Sequence, residues 1–150
     1  MGCDIYIHAE VKVRGTWHHY GNYRPTRWYL AFGLMAGVRG DQELFGPPRG
    51  LPADATDATR TFYELGCDQG SPHSLSWLLS CEIRELDQRL ASMNTVFNSM
   101  LSYPIRSDNV FRSGDLGRWI GGSLFHCEWN GQAREPADDV EDWRWVFWFD

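Results

Sequence analysis

Asp4, Tyr6, His8 and Glu10 stand at every second position of the opening stretch, with Cys3, Ile5, Ile7, Ala9, Val11 and Val13 between them. A period of two predicts a half-buried strand over 4–13. Arg14-Gly15 reads as a tight turn and Thr16 to Tyr20 as the return strand. A two-residue turn sets Val13 against Thr16, Val11 against His18 and Glu10 against His19. His19 then shares a face with His8, Glu10 and Trp17, while His18 and Tyr20 join the Ile5-Ile7 face. The polar face of this hairpin either meets solvent or lines a site.

Further along, the period changes. Thr26 is placed to cap a helix from Arg27 to about Ala36, stopped by Gly37. The stretch GDQELFGPPRGLPADATD is a loop rich in Gly and Pro. Asp57 suits the cap of a short helix through Leu65, ended by Gly66. Ser76 is read as the cap of the clearest helix, in which Leu79, Ile83, Leu86 and Leu90 form a core stripe. Met93, Val96, Phe97, Met100 and Leu101 extend the pattern, and Pro104 ends it. Short strands are expected at 109–112 and 123–129, then an acidic loop around Asp138, Asp139, Glu141 and Asp142. The closing WRWVFWFD alternates Trp143, Trp145, Phe147 and Phe149 against Arg144, Val146, Trp148 and Asp150. Strands at both ends with helices between them predict one α+β domain over 1–150. Its antiparallel sheet would include both terminal strands and be covered by helices.

Composition narrows the chemistry. With 150 residues and a 43% hydrophobic share, the chain can bury a sizeable core. A net charge of -6 argues against a duplex-DNA binder. Of the 14 basic residues all but Lys12 are Arg, which supplies planar forks for phosphate or carboxylate, although a GC-rich genome also favours Arg codons. Cysteines at 3, 67, 81 and 127 show no zinc-ribbon spacing. No signal segment or long apolar run stands out, so the expectation is a cytoplasmic protein with free, mostly buried thiols and no disulfide.

Three constellations carry candidate chemistry. Two imidazoles and a carboxylate, His8, Glu10 and His19, can hold a metal ion with an open position for water, although no HExxH or other specific ligand spacing is present. His73 and Ser74, just ahead of Ser76, would place loop amides and a helix N-terminus around an anion. No GxSxG elbow surrounds the serines as nucleophiles. Arg24, Arg27, Arg39 and Arg49 flank turns, and Arg49 sits on the stiff loop 46–52, where each Pro fixes φ. With Trp77, Trp17 or Trp28 such residues can clamp a phosphate and stack a base. The alternative role of Arg49 is to tether its loop to an acid.

Five stretches in order, MGCDIYIHAEV, RWYLAFGLMAGVRG, PPRGLP, HSLSWL and VFWFD, resemble a family of small phage-encoded proteins that begin MGCDIH. Relatives usually carry His where this chain has Tyr6. The resemblance implies a bacteriophage origin and a role in the cytoplasm of the infected host, and supplies no mechanism. The leading expectation is a counter-defence protein that binds and sequesters a small nucleotide-type host immune signal without catalysis or cofactor. Its ligand residues would be His8, Arg24, Arg27, Arg39, Arg49, His73, Ser74 and Trp77. The alternatives are a protein-protein inhibitor of a host defence enzyme and a metal-dependent hydrolase using His8, Glu10 and His19. No duplex nucleic acid or membrane partner is expected, and a homo-oligomer is allowed.

Overall fold

The computed structural model describes residues 4–25, 29–38, 44–69, 72–100 and 139–150. Four strands and three helices are described: β1 (Ile5–Val13), β2 (Thr16–Tyr23), α1 (Tyr29–Ala36), α2 (Asp57–Gln69), β3 (His73–Leu79), α3 (Ser80–Met100) and β4 (Val140–Phe149). The strands form one antiparallel sheet in the order β2-β1-β4-β3. This is the α+β architecture the sequence predicts, with both terminal strands side by side at its centre.

The hairpin turns at Arg14-Gly15, where φ is +52° and +75°, the left-handed pair a two-residue turn needs. Glu10 pairs with His19, Val11 with His18 and Val13 with Thr16, as expected. Past Glu10 the register shifts, because Ala9 pairs with Gly21. Tyr20 is the extra residue of this bulge and is half exposed.

The alternation of β4 sets the core. Trp145 lies opposite Ala9, Phe147 opposite Ile7 and Phe149 opposite Ile5, and all six are fully buried. Phe32, Met35 and Ala36 of α1 and Ile83, Leu86 and Leu90 of α3 close over this apolar face. α1 ends at Gly37, with φ +67°, and Val38 N–H reaches back to Gly33 O at 3.0 Å, a left-handed stop of the Schellman kind.

Four details depart from the sequence reading. Thr56, not Asp57, caps α2: its Oγ1 accepts the N–H of Thr59 at 3.3 Å. α2 also runs through Gly66 to Gln69, since a glycine that keeps helical φ, unlike the left-handed Gly37, weakens a helix by about 1 kcal/mol without ending it. Residues 73–79 form strand β3, not the approach to a helix, and α3 starts at Ser80. Pairing of Leu78 with Trp145 overrides the helical spacing of Leu79 and Ile83. Ser76 therefore caps nothing. It lies in β3 with its Oγ accepting the N–H of Arg49 at 3.1 Å, while Glu82 caps α3 by accepting Leu79 N–H at 2.9 Å. Finally, Val140, Glu141 and Asp142 are strand residues of β4, so the acidic stretch is not wholly loop. The strands expected at 109–112 and 123–129 lie outside the described residues.

Loop 44–50 runs along the outer side of β3. Gly50 N–H donates to Leu75 O at 2.9 Å, so that sheet edge is covered. The loop also touches the end of α1, where a Cβ on Gly37 would collide with the carbonyl oxygen of Gly46. A Cβ on Gly15 would meet nothing within 4 Å. Gly15→Ala should therefore lose only the roughly 1–2 kcal/mol of a left-handed alanine, and Gly37→Ala distinctly more. Urea melts of the two variants test this ordering.

Candidate functional site

The polar face of β1 is neither solvated nor open. α2 and the segment 51–56 lie over it, and His8 and Glu10 are 1% and 0% exposed. A carboxylate enclosed this way must be satisfied by donors. Glu10 Oε1 accepts Arg144 Nε at 2.8 Å, while Oε2 accepts Thr56 N–H at 2.8 Å and Thr59 Oγ1 at 2.9 Å. Burial alone would raise the Glu10 carboxyl, but these hydrogen bonds outweigh it and hold the group below its ordinary value.

Arg144 stands opposite Glu10 in β4 and is equally buried. Its Nη1 donates to Asp54 Oδ1 at 2.7 Å and its Nη2 to Asp54 O at 3.0 Å. The guanidinium lies 4.0 Å from the ring centre of Trp17 and 6.0 Å from that of Trp77. The two indoles thus flank a cation of this chain, in the manner of an aromatic cage.

One row along the face, His8 Nδ1 and His19 Nε2 share a hydrogen bond of 3.0 Å. Trp148 stacks on His8 at 4.9 Å between ring centres, and Tyr6 stacks on Trp148 at 5.9 Å. Phe62 of α2 touches both imidazoles, at 5.0 and 6.4 Å, yet remains 48% exposed. Tyr63 meets Trp148 edge-on. Burial, and then the neighbouring His19, push the His8 imidazole down to about 4, against the pull of Glu10. Burial lowers His19 as well. Both rings are therefore neutral at pH 7, so one nitrogen donates and the other accepts.

The remaining candidates are spread out. Arg24 pairs with Asp4 at the exposed end of the sheet and stacks 5.2 Å above the Tyr6 ring. Arg49 holds Glu82 with both ends of its fork, at 2.9 and 2.5 Å, donates to Trp77 O at 3.1 Å and lies 5.1 Å from the Trp77 ring. That is the tethering role. His73 Nδ1 is 3.0 Å from Ser74 Oγ. These two residues open strand β3, so the helix N-terminus expected to bind an anion there is absent: α3 starts at Ser80. Arg27 and Arg39 lie outside the described residues.

His8, Glu10 and His19 do come together on one face, paired with protein groups. Both Glu10 oxygens face donors, the imidazoles face each other, and no group of three or more potential ligands is found among the described residues. Cys81, one of the four thiols expected to be free and mostly buried, is free and exposed. No described helix is long and apolar enough to cross a membrane. Arg144, Asp54, Thr59, Phe62 and Trp148 complete the face, and residue spacing does not single them out.

Comparison with protein-family models, with curated proteins and with solved structures yields no match. The class rests on the fold itself: an α+β protein whose four-stranded antiparallel sheet is packed against three helices.

The His8 environment fixes a pH dependence. The imidazole titrates at 6.5 when unperturbed and at about 4 in the fold, so between those values the unfolded chain binds the extra proton. Stability is complete above pH 6.5, falls as pH drops and stops falling from this source near pH 4, a loss of about 3 kcal/mol. Glu10, held below its ordinary value of 4.5, adds a separate loss below that pH. Denaturant melts from pH 8 to 4 should show the His8 loss in the wild type and a much smaller one in His8→Phe, where only His19 still carries a lowered imidazole.

Proposed function

We propose that this protein is a non-catalytic binding protein that sequesters a small, flat, anionic ligand of nucleotide type. The observation that carries the reading is the ring series Tyr6, Trp148, His8, His19 and Phe62. It is reached from solvent at Phe62 and bordered by Arg24, whose side chain is 62% exposed. A half-exposed phenyl beside a neutral imidazole offers a stacking surface to a base. The Arg24 guanidinium, bound to Asp4 through Nη2 and still largely exposed, offers its remaining N–H groups to a phosphate. The resemblance to phage proteins supports a host signal as the ligand and the host cytoplasm as the place.

Buried polar groups in this face are already matched to one another, which suits binding more than chemistry. The hydrolase reading loses support because Glu10 is committed to Arg144, Thr56 and Thr59. Arg49 contributes through its loop and not through the ligand, since Glu82 fills its fork.

Calorimetric titration with cyclic nucleotides and ADP-ribose-type compounds tests the proposal. Arg24→Ala and Phe62→Ala should each weaken binding by about tenfold or more, the worth of a charge-assisted hydrogen bond or a stacked ring. Arg49→Ala should lower the melting temperature and leave the affinity of the folded molecule intact. If the wild type binds none of these compounds, sequestration fails. The inhibitor reading then leads, favoured by Phe62 and Leu65, which lie one turn apart on α2 and are 48% and 56% exposed.

A further inference from the structure

We propose that the His8–His19 pair is a proton-sensitive latch that holds the Phe62–Tyr63 half of α2 on the sheet and lets it lift in acid. α2 is attached to the sheet in two different ways. Its N-terminal end is fixed by hydrogen bonds from Thr56 and Thr59 to Glu10. Beyond that, Phe62 rests on the two imidazoles and Tyr63 on Trp148, which itself stacks on His8. One half of the helix is therefore held by ionic hydrogen bonds and the other by ring contacts over two neutral bases.

Those contacts tolerate no net charge beneath them. A proton on His8 must be held in a place that is 1% exposed, and neighbouring groups do little to offset it. On β1 the nearest acid is Glu10, already committed to Arg144 and the two threonines. On β2 the facing group is His19, a second base. On β4 the charged group of the adjoining row is Arg144, a cation. From the segment before α2 comes Asp54, which is bound to Arg144. α2 itself places the Phe62 ring against His8. Lifting the Phe62 half lets water reach the imidazole, and the proton is then accommodated. Hydrogen bonds hold the Glu10 carboxyl below its ordinary value of 4.5, so above that pH the Thr56 end remains the hinge.

Linkage sets the size. His8 binds its proton at 6.5 when exposed and at about 4 when covered, so the opening equilibrium should grow about thirtyfold from pH 8 to pH 5, towards a ceiling of about three-hundredfold below pH 4. Hydrogen exchange read by mass spectrometry on the full chain, corrected for the intrinsic pH dependence of amide exchange, follows this directly. Peptides covering 61–66 should lose protection by that factor while β1 and β4 stay protected. His8→Phe, which keeps a ring against Phe62 and Trp148, should remove most of the pH dependence and leave only the part due to His19, which burial also lowers, and the exposed His18→Gln should leave it unchanged. Ring titration by NMR should give His8 a midpoint near 4. The latch is overturned if His8→Phe opens with acid as the wild type does. It is also overturned if 61–66 stays protected until β1 and β4 unfold with it. These readouts use no ligand, so their outcome is separate from that of the binding experiments.

Discussion

Arg144 and Glu10 face each other across neighbouring strands with almost no access to solvent, and four separate parts of the chain meet at that pair. β1 supplies the carboxylate and β4 the guanidinium. The segment before α2 supplies Asp54, and the first turn of α2 supplies Thr59. A buried ion pair is costly to desolvate and repays that cost only when its remaining donors and acceptors are used. Here Arg144 makes three hydrogen bonds and sits between two indoles, and both Glu10 oxygens are engaged. Polar satisfaction, more than apolar burial, determines where 51–59 must lie.

The two faces of the sheet are consequently built on different principles. Ile5, Ile7, Phe147 and Phe149 are covered by α1 and α3 through ordinary apolar packing. The opposite face is covered by α2 through a directional network. That network brings two imidazoles under a helix and keeps them neutral, and it leaves Phe62 half in water beside them. The chemistry of this protein is concentrated on that second face. Both the stacking surface proposed for a ligand and the acid sensitivity of α2 are consequences of covering a polar strand with a helix.

Much of this was legible in the residues. The alternation of β1 and β4 is strict, and the turn at Arg14-Gly15 fixes the Glu10-His19 pairing, so the terminal strands and the hairpin could be read directly. Glu10 and His8 were visible as unusual strand residues. Their burial was not, because a period of two reports which residues share a face and not what covers it. Arg144 lay on the correct face of its strand, but its partner 134 residues away follows only from the sheet order. β3 is not legible, because a stretch as short as Leu75 to Leu79 has no distinguishable period and the stripe of α3 begins where it ends. The Pro-stiffened loop marks Arg49 as a held fork, and in the structure it is held on an acid. Glu82, which fills it, is an ordinary surface-type acid in sequence.

The central claim is that the Arg144–Glu10 pair joins the cover to the sheet, and a double-mutant cycle measures it most directly. Glu10→Leu and Arg144→Met each strand the other charge in a buried place. Each should cost on the order of 3–5 kcal/mol in urea unfolding, and the double variant should cost much less than their sum. A coupling energy above about 1 kcal/mol is the predicted result. Additivity within about 0.5 kcal/mol, the behaviour of independent sites, would contradict it.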